Sequence, residues 1–233
     1  MTIPDNSFNS PVSAHRKQIF IVEDHPVMLD GLANLVNRQP DLEAKWQCTF
    51  PDDALSLLST VNPDLLMTDL SMPGKSGPDF IKEALALHPD LPILVLSMHD
   101  EALYAERLMR MGVKGYIMKD AGVNLLLEAV RQVLSGGIYL SPQISSRILT
   151  ELFCPSGEES QSPLARLTCR ELQVFQLIGQ GKNTGDIAKT LGTSPKTVDV
   201  HRAHIREKLE LPDMTALIRY AVCSVESDGV NKQ

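Results

Sequence analysis

Cysteine is scarce in this 233-residue chain, and Cys48, Cys154, Cys169 and Cys223 stand far apart with no C-x-x-C pair. That scatter argues against a structural zinc site and a disulfide framework, leaves four separate small apolar side chains, and fits a reducing cytosol. No apolar run reaches the length of about 20 residues that a membrane span needs. The polar start, residues 1–17, has no apolar h-region, so a secretory signal is not expected and a cytoplasmic protein is. No internal repeat is found. Basic residues are in deficit, with 22 Lys and Arg against 29 Asp and Glu. What is present is ordinary for a soluble globular chain: 43% hydrophobic and 22% charged residues, enough to bury a real core and too much for general disorder, collagen or a rod.

The charge is unevenly placed. Residues 1–162 carry 12 Lys and Arg against 21 Asp and Glu, a balance of −9, whereas residues 163–233 carry 10 against 8, a balance of +2. An acidic front and a mildly basic tail point to two units with different partners. In the front, apolar runs begin at Ile19, Leu65, Ile93 and Gly115, with a weaker one over 42–48. Each precedes a helical pattern, over 26–38, 53–61, 80–87, 102–111 and 125–134. Unalternating strands, each followed by a helix, predict a doubly wound, five-stranded parallel α/β domain. Gly136-Gly137 ends it, and the polar, proline-containing stretch that follows reads as a linker, with a short helix over 144–153. From Leu167 the pattern is purely helical. The chain then divides into an N-terminal tail (1–17), an α/β domain (18–137), a linker (138–163), a small all-α domain (164–228) and a C-terminal tail (229–233).

Polar residues collect where the strands end. Glu23-Asp24 follows the first strand, Asp69 ends the third, Ser97 the fourth and Lys119 the fifth. Ligands of open α/β sheets sit beyond those ends. Three converging carboxylates need a cation, and Mg²⁺ suits hard oxygens and phosphate. With a divalent ion and Lys119 the local charge balances, and a phosphoryl group can be received by one carboxylate as an acyl phosphate.

The segments I-F-I-V-E-D-H-P, L-L-M-T-D-L-S-M-P-G, I-L-V-L-S-M-H-D and G-Y-I-M-K-D-A resemble the receiver domain of two-component response regulators over roughly residues 18–136. The resemblance implies Asp69 as phospho-acceptor, Asp24 and Asp69 as direct Mg²⁺ ligands, Glu23 acting largely through water, and the Ser71 carbonyl completing the set. It also implies Ser97 and Tyr116 as the switch pair, Tyr116 turning inward on activation, and Lys119 as the phosphate-facing lysine. Asp120-Ala121 replaces the proline that follows this lysine in many receivers, which resembles the NarL/FixJ branch.

In the tail, T-C-R-E at 168–171 reads as a capping box, and Ser194-Pro195 as the start of a longer helix. Two helices joined by a Gly-containing turn make a helix-turn-helix candidate. The run from L-T-C-R-E to R-E-K-L resembles the LuxR-type DNA-binding domain over roughly residues 164–226. It implies a recognition helix bearing Lys196, Thr197, Asp199, Val200, Arg202, Ala203 and Arg206, with Lys182, Lys189 and Lys208 also serving phosphates. Asp199, where some relatives carry lysine, can accept from cytosine N4. His201 and His204 lack a third ligand and read as packing residues. Met214, Leu217, Ile218, Ala221, Val222 and Val225 form a stripe wide enough for core packing and a dimer contact together.

The whole is identified as resembling a NarL/FixJ-type regulator rather than an enzyme. The implied partners are a sensor histidine kinase, double-stranded DNA and RNA polymerase, with a homodimer when phosphorylated. Leu103, Tyr104, Leu108 and Met111 are candidates either for a surface that changes or for core. Three other readings compete. A turnover phosphatase or kinase would want a second acid two residues beyond Asp69, and a flavin domain would want a Gly/Thr-rich loop after the first strand. A phosphorylation-independent DNA binder would tolerate a degenerate receiver, but here the acids, serine and lysine are intact.

Overall fold

The computed structural model describes residues 16–99, 101–153 and 163–230. The polar run 156–162 lies outside them. Five parallel strands, β1 (Lys17–Val22), β2 (Leu42–Cys48), β3 (Leu65–Asp69), β4 (Ile93–Ser97) and β5 (Gly115–Met118), pair in the order β2-β1-β3-β4-β5. They alternate with α1 (Pro26–Asn37), α2 (Pro51–Leu58), α3 (Gly77–Leu87), α4 (Glu101–Arg110) and α5 (Val123–Leu134).

β3 and β4 are buried along their whole length. This is why their sequences are unbroken apolar runs: each face needs its own cover. On one face Ile19, Ile21, Met67, Leu94 and Ile117 pack with Leu32 and Val36 of α1 and Val130 and Val133 of α5. On the other, Phe20, Leu66, Ile93, Val95 and Tyr116 pack with Leu58, Phe80, Ile81, Tyr104 and Leu108 of α2, α3 and α4. β2 is an edge strand that buries only Leu42 and Ala44, which explains its weak pattern.

Helix α2 starts two residues before the sequence pattern suggests, with Pro51 in its first turn and acidic Asp52 and Asp53 after it, a favourable start for a helix dipole. The first part of the stretch read as a linker carries regular structure. Tyr139 adds a bridge to Gly115, and α6 (Pro142–Phe153) buries Ile144. Lys17, expected in the tail, opens β1 and bonds Asp64 at 2.8 Å.

The all-α unit comprises α7 (Cys169–Gly179), α8 (Thr184–Thr190), α9 (Pro195–Lys208) and α10 (Met214–Val230), with a short 3-10 turn over Pro163–Arg166 before them. The first three are capped by Thr168, Asn183 and Ser194, each side chain accepting an N–H three residues on. Thr168 and Glu171 complete the capping box. Leu172, Phe175, Ile187, Val198, Ile205, Leu217 and Ala221 form the core, whereas Ile218 is exposed. Gly179 is required where α7 crosses α10: a Cβ there would stand 2.5 Å from the Ala221 carbonyl oxygen.

The two units touch. The Tyr104 hydroxyl donates to Gln176 Oε1 at 2.9 Å, and Arg107 donates to the Leu164 carbonyl. Gly192, with φ of 59°, sits so near the 73–74 backbone that a Cβ would come within 2.4 Å of Gly74 N. Tyr104 and Leu108 are fully buried, and Leu103 and Met111 half-buried. Leu108 thus belongs to the core, and Tyr104 is buried where the two units meet.

Candidate functional site

The strand order reverses between β1 and β3, and there the backbone leaves a crevice at the carboxyl ends. Glu23 and Asp24 leave β1, Asp69 ends β3 and Lys119 leaves β5, all on that rim. Lys119 Nζ lies 2.7 Å from Glu23 Oε2 and 2.9 Å from Asp69 Oδ2. Glu23 and Asp69 are buried, at 1% and 3% exposure. Asp69 Oδ1 accepts the Leu70 N–H at 2.6 Å. One ammonium thus bridges two buried carboxylates, leaving Asp24 on the more open side.

His25, to which the sequence pattern assigns no role, completes the cluster. Its Nδ1 lies 2.9 Å from both Glu23 Oε1 and Asp24 Oδ1. The Glu23 hydrogen bond and the Asp24 charge raise its pKa. Burial lowers that of Lys119, but the hydrogen bonds and charges of Glu23 and Asp69 more than offset it, so its pKa is raised. Ligand atoms of Glu23, Asp24, His25 and Asp69 all lie within 4.8 Å of one another. A donor set of three carboxylates on a short radius fits a hard divalent cation. Ser71, expected to add its carbonyl, is on the next loop and shares a 2.6 Å hydrogen bond with His99 Nε2.

Ser97 is fully buried, and its Oγ accepts the His99 N–H at 3.0 Å. Tyr116 is already inward, with no exposure and its hydroxyl donating to the His99 carbonyl at 2.7 Å. The aromatic side chain packs in the core of the α/β unit here, the inward position expected of it on activation. The peptide bond after Lys119 is trans, like every other among the described residues.

The structure gathers Glu23, Asp24, Asp69 and Lys119 at contact distance, with Ser97 and Tyr116 on neighbouring strands. The tail residues form a second surface. Lys182, Lys196, Thr197, Asp199, Val200, Ala203 and Arg206 are exposed. Two candidates are engaged internally instead. Lys208 Nζ binds Glu171 Oε2 at 2.7 Å, and Arg202 Nη1 donates to Thr184 Oγ1 at 2.5 Å. Lys208 therefore secures α9 to α7 in this state rather than standing free for phosphate. Burial lowers the His201 pKa, in keeping with a packing residue.

Among the described residues, no helix is long and apolar enough to cross a membrane. Residues 19–131 match the model of the response regulator receiver domain, and residues 165–221 that of the luxR family of bacterial regulatory proteins. The chain is 35% identical over 209 residues to the oxygen regulatory protein NreC of Staphylococcus carnosus, covering 88% of this chain and 96% of that one. It is 31% identical over 205 residues to the response regulator GacA of Pseudomonas aeruginosa, covering 88% and 95%. A structure of the RcsB response regulator of Salmonella typhimurium, described for its conformational dynamism in DNA interaction, superposes with a TM-score of 0.64 at 25% identity, covering 90% and 98%.

Proposed function

This chain belongs to the NarL/FixJ family of response regulators, a receiver joined to a luxR-type domain, and on that premise we propose that it is a transcription factor switched by phosphorylation of Asp69. A sensor histidine kinase is the donor. The phosphorus–nitrogen bond of its phosphohistidine breaks as an Asp69 carboxylate oxygen bonds phosphorus, giving an acyl phosphate. The observation that carries this reading is Lys119 held between buried Glu23 and Asp69 at 2.7 and 2.9 Å, a cation placed to follow charge onto the incoming phosphoryl oxygens.

Asp24, Asp69, the Ser71 carbonyl and, largely through water, Glu23 would hold Mg²⁺. When bound, the ion supplies charge neutralisation at the phosphoryl oxygens. Ser97 turns its hydroxyl toward one of those oxygens, and a packed two-state element shifts its population. The tail then leaves the receiver, the chain dimerises, and Lys196, Thr197, Asp199, Val200, Arg202, Ala203 and Arg206 meet the major groove, with Lys182 and Lys189 on phosphates. Lys208 joins them only by giving up Glu171. RNA polymerase is a further partner at promoters.

The test is selection of duplex DNA by the full chain with and without beryllofluoride and Mg²⁺, with sedimentation to follow dimer formation. Sites enriched with beryllofluoride, together with a dimer, support the reading. The same sites bound equally well without it would instead favour the phosphorylation-independent regulator.

A further inference from the structure

Ser97 is held in this state by His99, and that residue reaches toward the other domain. Its Oγ accepts the His99 N–H at 3.0 Å, while the His99 carbonyl accepts the Tyr116 hydroxyl at 2.7 Å. The His99 ring bonds Ser71 Oγ at 2.6 Å and stacks on Tyr104, with ring centroids 4.9 Å apart and planes tilted by 32°. Tyr104 in turn donates across the seam to Gln176 Oε1 of α7 at 2.9 Å. Backbone and ring of one side chain thus join the switch hydroxyl, the loop after Asp69, and the clasp between receiver and tail.

We propose that His99 is the positioning residue that couples the state of Asp69 to docking of the tail, with Tyr104–Gln176 as the clasp it holds in place. The inference rests on the reading of Asp69 and Ser97 given above. A Ser97 hydroxyl that moves toward a phosphoryl group must either carry the His99 backbone with it or release its N–H. Either event moves the ring that orients Tyr104. Ser71 acts on the same ring from the other side, because its loop carries the carbonyl assigned to the metal.

The seam is not filled throughout. A cavity of about 110 Å³ lies in it, lined by Leu70, Ser71, His99, Gln173, Gln176 and Leu191 among others. Among the described residues, the Tyr104 bond to Gln176 and the Arg107 bond to the Leu164 carbonyl cross the seam. Docking also sets the receiver against one edge of the tail's DNA-facing helix, whose Lys196, Asp199 and Arg206 stay exposed. Thr197 and His201 of α9 line one groove with Lys75, Asp79 and Glu83 of the receiver, and the 192 turn abuts Gly74. A duplex cannot occupy that groove while the receiver stands in it. DNA affinity is therefore reduced by the fraction of chains that are docked.

The test uses the full chain as wild type, Tyr104→Phe, Gln176→Met and His99→Ala, and a duplex from the beryllofluoride selection. Tyr104→Phe removes one oxygen and keeps the ring stack. One lost hydrogen bond shifts the docked equilibrium about two- to tenfold. Without beryllofluoride, each variant binds the duplex tighter than wild type by that factor, with a larger radius of gyration in solution scattering. At saturating beryllofluoride and Mg²⁺, all four converge. The His99→Ala/Gln176→Met double variant gains no more than the larger single effect, since both act on one clasp. A merely structural loss would weaken binding in both states and would overturn the proposal. So would variants indistinguishable from a wild type that itself responds to beryllofluoride. A wild type that ignores beryllofluoride overturns both this coupling and the reading on which it rests.

Discussion

Replacing Lys119 with methionine removes the ammonium that bridges Glu23 and Asp69 while keeping an unbranched side chain of similar length. Breaking a buried ion pair by deleting one partner costs about 3–5 kcal/mol, because the other charge stays behind. Here two carboxylates are left, at 1% and 3% exposure, but Asp24 beside them is 18% exposed and admits water. The lower end of the range, about 3 kcal/mol, is the expected loss in EDTA. At about 4 °C per kcal/mol for a unit of this size, the receiver's Tm falls by about 12 °C. A divalent cation replaces the missing positive charge, so millimolar Mg²⁺ restores most of the loss in the variant and raises wild type less. Ligand at a hundredfold its Kd contributes about 2.7 kcal/mol, which matches the deficit. Thermal unfolding followed by circular dichroism, in EDTA and in Mg²⁺, reads both numbers. A variant melting within 2–3 °C of wild type (about 0.5–0.75 kcal/mol on the same scale) in EDTA, or one whose Mg²⁺ response is no larger than wild type's, would show that Lys119 does not hold these carboxylates together.

Two further outcomes follow from the tail. Lys196 is exposed and Lys208 is bonded to Glu171, so Lys196→Ala weakens DNA binding and lowers the salt slope by about 1. Lys208→Ala instead lowers the melting temperature of the tail, with a smaller change in slope; equal slopes for the two would refute the distinction. Burial raises the Glu171 pKa, but the Lys208 bond and the Thr168 N–H and hydroxyl more than offset it, so the folded value is lowered. An acid with a depressed folded pKa contributes stability above its unfolded pKa, about 4.5, and loses it as pH falls through the folded value. Tail stability therefore drops below about pH 4.5 in wild type, and Glu171→Gln flattens that acid limb. An unchanged limb in urea titrations would remove Glu171 from the account.

The rim of the receiver was legible because strand ends are marked in sequence: an apolar run stops, and the next polar residue must lie at the sheet edge. Glu23, Asp24, Asp69, Ser97 and Lys119 all follow that rule. The caps at Thr168 and Ser194 were legible because a cap bonds only three residues away. The start of α2 carried a local signal too, Pro51-Asp52-Asp53, that the apolar periodicity did not use. Contacts between distant residues were not legible. Nothing near Lys208 indicates that Glu171, 37 residues earlier, takes its ammonium. His99 follows β4 in a stretch with no special spacing, and its meaning comes from Tyr104 and Gln176, which meet only when the two units dock. Tyr116 illustrates the same limit: position identified the residue, but only packing showed it inward.

The central claim is that Asp69 accepts a phosphoryl group, and intact-mass measurement after treatment with acetyl phosphate and Mg²⁺ tests it most directly. A single phosphoryl adduct on wild type, absent from Asp69→Asn, is the predicted result. An adduct that persists in Asp69→Asn, or none on wild type even with histidine-kinase donors, would contradict it.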